Sequence, residues 1–321
     1  MRQIKSLKLL FFLRHVSAVL SWWPMNDSKP ARLYRNLLTV DINDKGVVDV
    51  DTVKGCTAGM AARPRTGCYG GCYAAKIAKF RGLDFSKAVT RTVQSKAQAR
   101  QIEREVAAAP HGFFRIGVMG DPCHAWEETV ETVEWLSDFA RPVIITKHWR
   151  LASDSQLQRL VRCGTVLNTS ISALDTPSEL KLRRREFFRF KLMGGDSIAR
   201  IVSCDFNLEN EDGARMAAIQ DDLFTLRPTL DNPLRVPRTH PLVMAGTIRL
   251  SVVKDLEAER TISLVNRSTY LGHCSACPDV CGVALVGSKA TVGSHNGAAK
   301  SAEPPAEYIP INPRQMRLQI Q

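Results

Sequence analysis

Residues 113–122 read FFRIGVMGDP. The first seven residues are mostly apolar, which is typical of a buried strand, and Gly120, Asp121 and Pro122 are turn residues that end it. Similar strand patterns follow at 142–146, 165–174 and 199–207. Helical patterns accompany these strands at 127–140, 153–164, 176–195 and 209–226.

Strands and helices therefore alternate at least four times, which implies parallel strands joined by right-handed crossovers. Two architectures fit, a closed or nearly closed barrel and an open doubly wound sheet. No GxGxxG follows a strand and no GxxxxGK[ST] occurs, which weakens the nucleotide-binding open sheets. In a barrel the chemistry gathers at the C-terminal ends of the strands. Those ends are polar here: Gly120–Pro122, Thr146–His148, Ser170–Ser172 and Cys204–Asn207.

Before residue 113, the sequence predicts a first strand at 37–44. The stretch KGVVDVDTV that follows has alternating apolar residues. A cysteine-containing loop and a helix starting at AAKIAKFRG come next. Residues 85–108 continue in helical composition.

The chain has 321 residues and a formal net charge of +12. Its length allows one large domain or two ordinary ones. An excess of basic residues favours acidic binding partners, above all nucleic acid, although many basic proteins bind no such partner.

Six of the nine cysteines form two tight groups, which predicts metal ligands in a reducing, cytoplasmic compartment. The first group is Cys56, Cys68 and Cys72, the last two within GCYGGCYAAK. Structural zinc usually takes four protein ligands, whereas three leave one metal position open for chemistry. Neighbouring glycines let the backbone wrap closely, and the following helix N-terminus favours thiolate charge.

These residues resemble the radical SAM superfamily, over about residues 37–250. The resemblance rests on GC…GCYGGCYA, on RIGVMGDP and on the strand–helix alternation. It implies a partial (β/α)6 TIM-like barrel, a [4Fe–4S] cluster held by three cysteines, and reductive cleavage of S-adenosylmethionine. The usual spacing is C-x3-C-x2-C, but Ala75 stands where the third cysteine would be. The actual spacing, Cys56-x11-Cys68-x3-Cys72, is similar to that of a phage- and mobile-element-associated branch.

The resemblance also implies cofactor-binding residues. Gly120 and Asp121 match the turn that receives the methionine amino group, although a plain strand-ending turn would have the same residues. Asn168, Ser170 and Ser172 alternate along one strand and would bond the ribose or methionine carboxylate if they face a barrel interior. The alternative is a polar strand edge.

A second cysteine group lies in HCSACPDVCG at 273–282. Cys274, Cys277 and Cys281 predict a zinc knuckle completed by His273 or His295, or a second iron–sulfur cluster. Accordingly, 1–36 is expected to be an N-terminal extension, 37–250 the barrel, 251–286 a cysteine-rich extension and 287–321 a flexible tail. Met25 is a candidate start, and the apolar run near residue 10 is too short for a signal peptide or a membrane span.

Other residues have two interpretations each. Lys147 is expected either to contact a carboxylate or phosphate group or to be a solvated side chain. Asp205 and Asn207 likewise have a functional and a solvated interpretation. Cys163 is expected to be a buried apolar residue, and Cys123 a rim residue rather than a ligand. The run that includes Arg183, Arg184, Arg185 and Arg189 is expected to be a solvated helix surface, with phosphate binding as the minor interpretation.

Two functions follow. The first is a radical SAM enzyme, which needs an electron donor such as a flavodoxin or ferredoxin and acts on an unknown substrate, for which nucleic acid is one candidate. The alternative is a non-catalytic, zinc-stabilised nucleic-acid-binding protein.

Overall fold

The computed structural model describes residues 36–42, 46–61, 63, 65–254, 261–262, 277 and 279–287. Its strands are β1 (Val40–Ile42), β2 (Val48–Val50), β3 (Val53–Lys54), β4 (Val89–Thr90), β5 (Phe113–Ile116), β6 (Arg141–Thr146), β7 (Val166–Ile171), β8 (Asp196–Ile201), β9 (Asp205–Phe206), β10 (Thr229–Asp231), β11 (Ile248–Arg249), β12 (Ser251–Lys254) and β13 (Thr261–Ile262). Its α-helices are α1 (Tyr73–Phe80), α2 (Lys96–Ala107), α3 (Trp126–Leu136), α4 (Asp154–Arg162), α5 (Pro177–Leu192), α6 (Glu211–Leu223) and α7 (Pro241–Met244). None of these helices is long and apolar enough to span a membrane.

A seven-stranded sheet forms the centre of the fold, in the order β1-β2-β5-β6-β7-β8-β10. β1 is antiparallel to β2, and every other pair is parallel. The α/β class is therefore confirmed. The parallel strands lie in chain order, whereas a doubly wound sheet reverses its order at a switch point. No such reversal occurs among the described strands.

The two faces of the sheet have different coverings because successive side chains on a strand point to opposite sides. Ile144 and Leu167 belong to an apolar cluster with residues of α2, α3, α4 and α5. Their neighbours Val143 and Val166 face the other way, in a cluster with Cys281 and the adjoining valines of Val280–Leu285, a short 3-10 helix. We call this second side the inner face.

Two predicted elements are wrong in their extent. The helix expected over 85–108 is preceded by β4, which pairs with β3, and α2 begins only at Lys96. The Ser95 side chain accepts a hydrogen bond from the Gln98 N–H and so fixes that start. The strand expected at 199–207 is divided into β8 and β9, and β9 pairs with β11 instead of joining the main sheet.

Candidate functional site

The cysteine loop begins beside the turn that follows β5. Gly55 forms a parallel bridge with Gly120, and its N–H donates to the Met119 carbonyl at 3.0 Å. A Cβ atom on Gly120 would lie 2.4 Å from the Val53 carbonyl oxygen, so only glycine permits this approach. The close approach is therefore between two protein segments, and the role of Gly120 toward a cofactor stays a prediction.

The three thiols of the loop lie in one neighbourhood. The Cys68 thiol donates a hydrogen bond to the Cys72 sulfur, and Cys56 interacts electrostatically with both. Cys72 is the N-cap of α1, and its sulfur accepts from the Ala75 N–H at 3.4 Å. The hydrogen bond from Cys68 is the main cause that lowers the pKa of Cys72 to about 7. Burial is the main cause that raises the pKa of Cys56 to about 11.

The three thiols are not arranged as a metal site in the described structure. Within the described ranges, no three His, Cys, Asp or Glu side chains are arranged closely enough to hold a metal ion. The donor set nevertheless fits an iron–sulfur cluster with one open position, because it consists of three thiols. The packing beside one of them is tight, because a Cβ on Gly59 would lie 3.2 Å from the Cys72 sulfur and 2.8 Å from the Phe85 ring.

Tyr69, between the two clustered cysteines, anchors the loop to the sheet. Its hydroxyl donates to Asp175 at 2.5 Å and accepts from the Lys147 ammonium at 2.5 Å. Its carbonyl lies 2.8 Å from Nε2 of His240. All four residues are buried, so these contacts fix the loop against the C-terminal ends of β6 and β7.

Asp175 also pairs with the buried Arg183, whose guanidinium lies 2.5 Å from the carboxylate. Burial pushes the pKa of Asp175 upward, but the charges of Lys147 and Arg183 outweigh it and hold that pKa below its usual value. Lys147 lies 3.8 Å from Asp175, in agreement with the carboxylate interpretation. Arg183 is not solvated, so the expected surface role is wrong for this member of the run.

Among the other arginines of α5, Arg185 is exposed, as expected, and Arg184 and Arg189 are partly exposed and ion-paired. Arg184 pairs with Asp222, and Arg189 with Asp154 and Glu186. The sequence carries a signal for the exception: Leu180, Arg183, Phe187 and Phe190 share the helical stripe that packs against the core.

Asp121 is occupied by protein donors. Its carboxylate accepts from the Thr146 hydroxyl at 2.6 Å, the Lys147 N–H at 2.9 Å and the Cys123 N–H at 3.1 Å. It therefore joins the turn after β5 to the end of β6. A second acid, Asp51, accepts from the N–H groups of residues 117–119 at 2.8–2.9 Å and was not expected from the sequence.

The three polar residues predicted on β7 have different surroundings. Asn168 donates to the Cys281 carbonyl at 3.1 Å on the inner face. Ser172 lies beyond the end of β7, where its hydroxyl donates to the Val202 carbonyl at 2.7 Å. Ser170 is paired in register with Arg200 of β8. The roles of all three toward a cofactor stay predictions.

The second cysteine group is described in part. Cys277 accepts hydrogen bonds from the N–H groups of Asp279 and Val280, and it interacts with Cys281. Cys281 is buried, with its sulfur 3.8 Å from the Arg115 guanidinium. Cys274, His273, His295 and Met25 lie outside the described residues.

The remaining candidates lie apart from the thiols. Cys123 and Cys204 are buried, and Cys163 is half-buried at the end of α4. Asn207 holds a turn through Gly246 and Arg249, and Asp205 lies in β9.

The candidate site is thus a three-thiol loop that Tyr69 joins to the C-terminal ends of parallel strands. The chain matches no protein-family model, no curated protein and no solved structure.

Proposed function

We propose that the protein is a radical SAM enzyme with a partial (β/α)6 barrel. The observation that carries the proposal is the bridge between Gly55 and Gly120. It places the three-thiol loop directly against the turn after the second parallel strand, where the resemblance expects S-adenosylmethionine. The chain order of the parallel strands supports the barrel.

In this proposal Cys56, Cys68 and Cys72 hold a [4Fe–4S] cluster. When bound, the cluster and S-adenosylmethionine supply a one-electron cleavage that yields methionine and a 5′-deoxyadenosyl radical able to take hydrogen from a substrate. The residues of the chain bind and orient the cofactor, and they exclude water from it. Tyr69 and Asp175 hold the loop, and Asp121 fixes the turn that lines the cofactor position.

Two features favour protection of a reactive intermediate. The Val280–Leu285 segment packs on the inner face with Phe113, Val143, Val166 and Ile198, which lie in the N-terminal halves of β5, β6, β7 and β8. The Tyr69–Lys147–Asp175 network is buried at the opposite ends of β6 and β7. Enclosure of this kind limits side reactions with water.

The test is the metal content of the full chain purified without oxygen. The proposal expects a brown protein with iron and acid-labile sulfide, and with reductive cleavage of S-adenosylmethionine under dithionite. Cys56→Ala should remove both properties, whereas the control Cys163→Ala, at a half-buried thiol that caps the end of α4, should keep them. A colourless protein with stoichiometric zinc would overturn the proposal.

The second candidate is a zinc-stabilised nucleic-acid-binding protein. The N–H donors around the Cys277 sulfur favour it, since such bonds support a metal-bound thiolate, and the +12 charge favours nucleic acid. This function expects zinc that is lost in Cys277→Ala, and nucleic-acid binding that weakens steeply with added salt.

A further inference from the structure

Helix α1 carries apolar side chains on its outer side as well as on its inner side. Ala74 and Ala78 are buried and pack in an apolar cluster beneath the helix. Ile77 and Phe80 are exposed instead, and Phe80 is 88% exposed. Residues three positions apart on a helix are neighbours, so Ile77 and Phe80 form one apolar surface. Because the Phe80 ring is hardly buried by folding, its apolar area is available to a binding partner.

The end of α1 fixes the backbone at Phe80. Gly82 follows the helix with a φ of 66°, and the Leu83 N–H donates to the Ala78 carbonyl at 2.8 Å. This pattern is typical of a helix that ends at a glycine. Leu83 also packs in the apolar cluster beneath the helix. A partner therefore contacts a ring on ordered backbone and loses little entropy in ordering it.

The outer side of α1 is also positively charged. Residues 73–83 read YAAKIAKFRGL and contain three cations and no acid. Lys76, Lys79 and Arg81 are exposed, and none has a carboxylate within ion-pair distance in the described part of the chain. The nearest acid along the sequence, Asp84, is hydrogen-bonded within its own turn. The charge of α1 is therefore available to an anionic partner.

Helix α5 is basic as well, but its charges and its exposed ring have protein partners. Arg184 and Arg189 each pair with an acid of a neighbouring helix. Phe188 is 46% exposed, and its ring centroid lies 5.1 Å from that of Phe187. Among the described residues, α1 has no ion pair and no ring pair of this kind. The surface of α5 is thus explained by folding, whereas that of α1 is not.

An exposed ring among cations favours single-stranded nucleic acid as the partner. Cations contact the phosphates of such a strand, and its unstacked bases stack on aromatic rings. The eight residues of α1 present a face of roughly 12 by 10 Å, which is long enough for about three nucleotides. A stable protein partner needs about 800 Å² on each side. A second copy of this chain would bring a like charge, because its net charge is +12.

We propose that Lys76, Lys79, Phe80 and Arg81 form a binding surface for single-stranded nucleic acid, which we call the α1 surface. Phe80 stacks on a base, and the three cations contact phosphates. Phe80 and Cys72 lie at opposite ends of α1, about 12 Å apart along its axis, so the ring is separate from the thiols. That the bound strand is a substrate rests on the proposed function. The binding itself needs neither iron nor S-adenosylmethionine.

The test is fluorescence anisotropy of labelled oligothymidine and oligouridine, each about 12 nucleotides long. The full chain is used as purified, without reductant or S-adenosylmethionine. Phe80→Ala should weaken binding about tenfold, because one stacked base contributes about that factor. Phe80→Trp should keep the affinity of the parent. The control Phe188→Ala removes an exposed ring beside ion-paired arginines and should also bind as the parent does.

A double variant, Lys76→Gln with Lys79→Gln, tests the charges. The logarithm of the binding constant falls linearly with the logarithm of the salt concentration, with a slope of about 0.7 per phosphate contact on a single strand. The double variant should therefore reduce the slope by about 1.4. The control Lys96→Gln with Arg100→Gln removes the same charge from exposed positions of α2 and should leave the slope unchanged.

Equal oligonucleotide affinity in Phe80→Ala and the parent would overturn the proposal. So would binding to phosphatidylserine vesicles but not to oligonucleotides, because the α1 surface would then fit a membrane. All variants should unfold at the temperature of the parent, since the changed residues are exposed. Iron and cleavage of S-adenosylmethionine without oligonucleotide binding would overturn this inference alone. Oligonucleotide binding by a chain without iron would overturn the proposed function and leave the α1 surface standing.

Discussion

The Tyr69 hydroxyl donates to the Asp175 carboxylate at 2.5 Å, across 106 positions of sequence. This contact joins the centre of the cysteine loop to the turn between β7 and α5. The loop that carries Cys68 and Cys72 is therefore held by a residue that lies far along the chain from every cysteine of the loop.

Tyr69→Phe should therefore loosen the loop without removing a thiol. The variant loses two buried hydrogen bonds to charged groups, to Asp175 and from Lys147, and each is expected to contribute about 1–3 kcal/mol of unfolding free energy. Iron bound after anaerobic reconstitution should fall, and chelators should remove it faster. Ser86→Ala, which removes an exposed hydroxyl, is the control. Equal iron retention in Tyr69→Phe and the parent would contradict an anchoring role.

Each alanine substitution of Cys56, Cys68 and Cys72 should abolish cleavage of S-adenosylmethionine, because two thiolates are too few for a site-differentiated cluster. Iron analysis and high-performance chromatography of 5′-deoxyadenosine measure the two losses. Full cleavage and normal iron in Cys56→Ala would show that the third ligand is a different residue.

Asp121→Asn should lower stability by about 1–3 kcal/mol, because an amide cannot accept all the hydrogen bonds that the carboxylate receives from Thr146, Lys147 and Cys123. Urea unfolding measures this cost. The affinity for S-adenosylmethionine should also fall while the iron content is kept, since the turn would be displaced but the thiols would remain. Unchanged affinity by calorimetry would restrict Asp121 to a structural role.

Arg183→Ala should destabilise the protein by about 3–5 kcal/mol, because it leaves the buried Asp175 without its closest counter-charge. Arg184→Ala on the same helix is the matched control. Its ion pair with Asp222 is largely exposed and is worth about 0–1 kcal/mol. Similar losses of unfolding free energy in both variants would contradict the buried network.

Because His148 is buried, we expect the stability of the folded protein to decrease at acid pH. Burial lowers the pKa of His148 to about 4, from about 6.5 in an unfolded chain. Between these values the unfolded state binds more protons, so stability falls as the pH decreases from 6.5 to 4, by up to about 3 kcal/mol. Below pH 4 this contribution is constant. Urea unfolding at several pH values should show a weaker dependence in His148→Gln, and an identical dependence would refute the assignment.

The main strands could be predicted because each is a short apolar run bounded by turn residues. Residues 113–116 and 142–146 are examples. The start of α2 was missed because 85–108 has no Gly or Pro, and only the Ser95 cap marks the boundary. Tertiary pairing of β4 with β3 overrides helical composition there.

The site could be predicted only where its residues are close in sequence. The spacing of Cys68 and Cys72 predicts that they meet, and they are hydrogen-bonded. The contact of Tyr69 with Asp175 depends on the docking of a loop on two strand ends, which no local pattern encodes. Arg183 could have been identified, because it lies on the buried stripe of α5.

The cover over the inner face has a consequence for biosynthesis. Phe113, Val143, Val166 and Ile198 pack against a segment that ends at Leu285. While the ribosome is still adding residues after β10, this apolar surface is bare, and it is a target for chaperones or for aggregation. The nascent chain can thus build its parallel strands early, but it gains its finished interior only when residues 280–285 emerge.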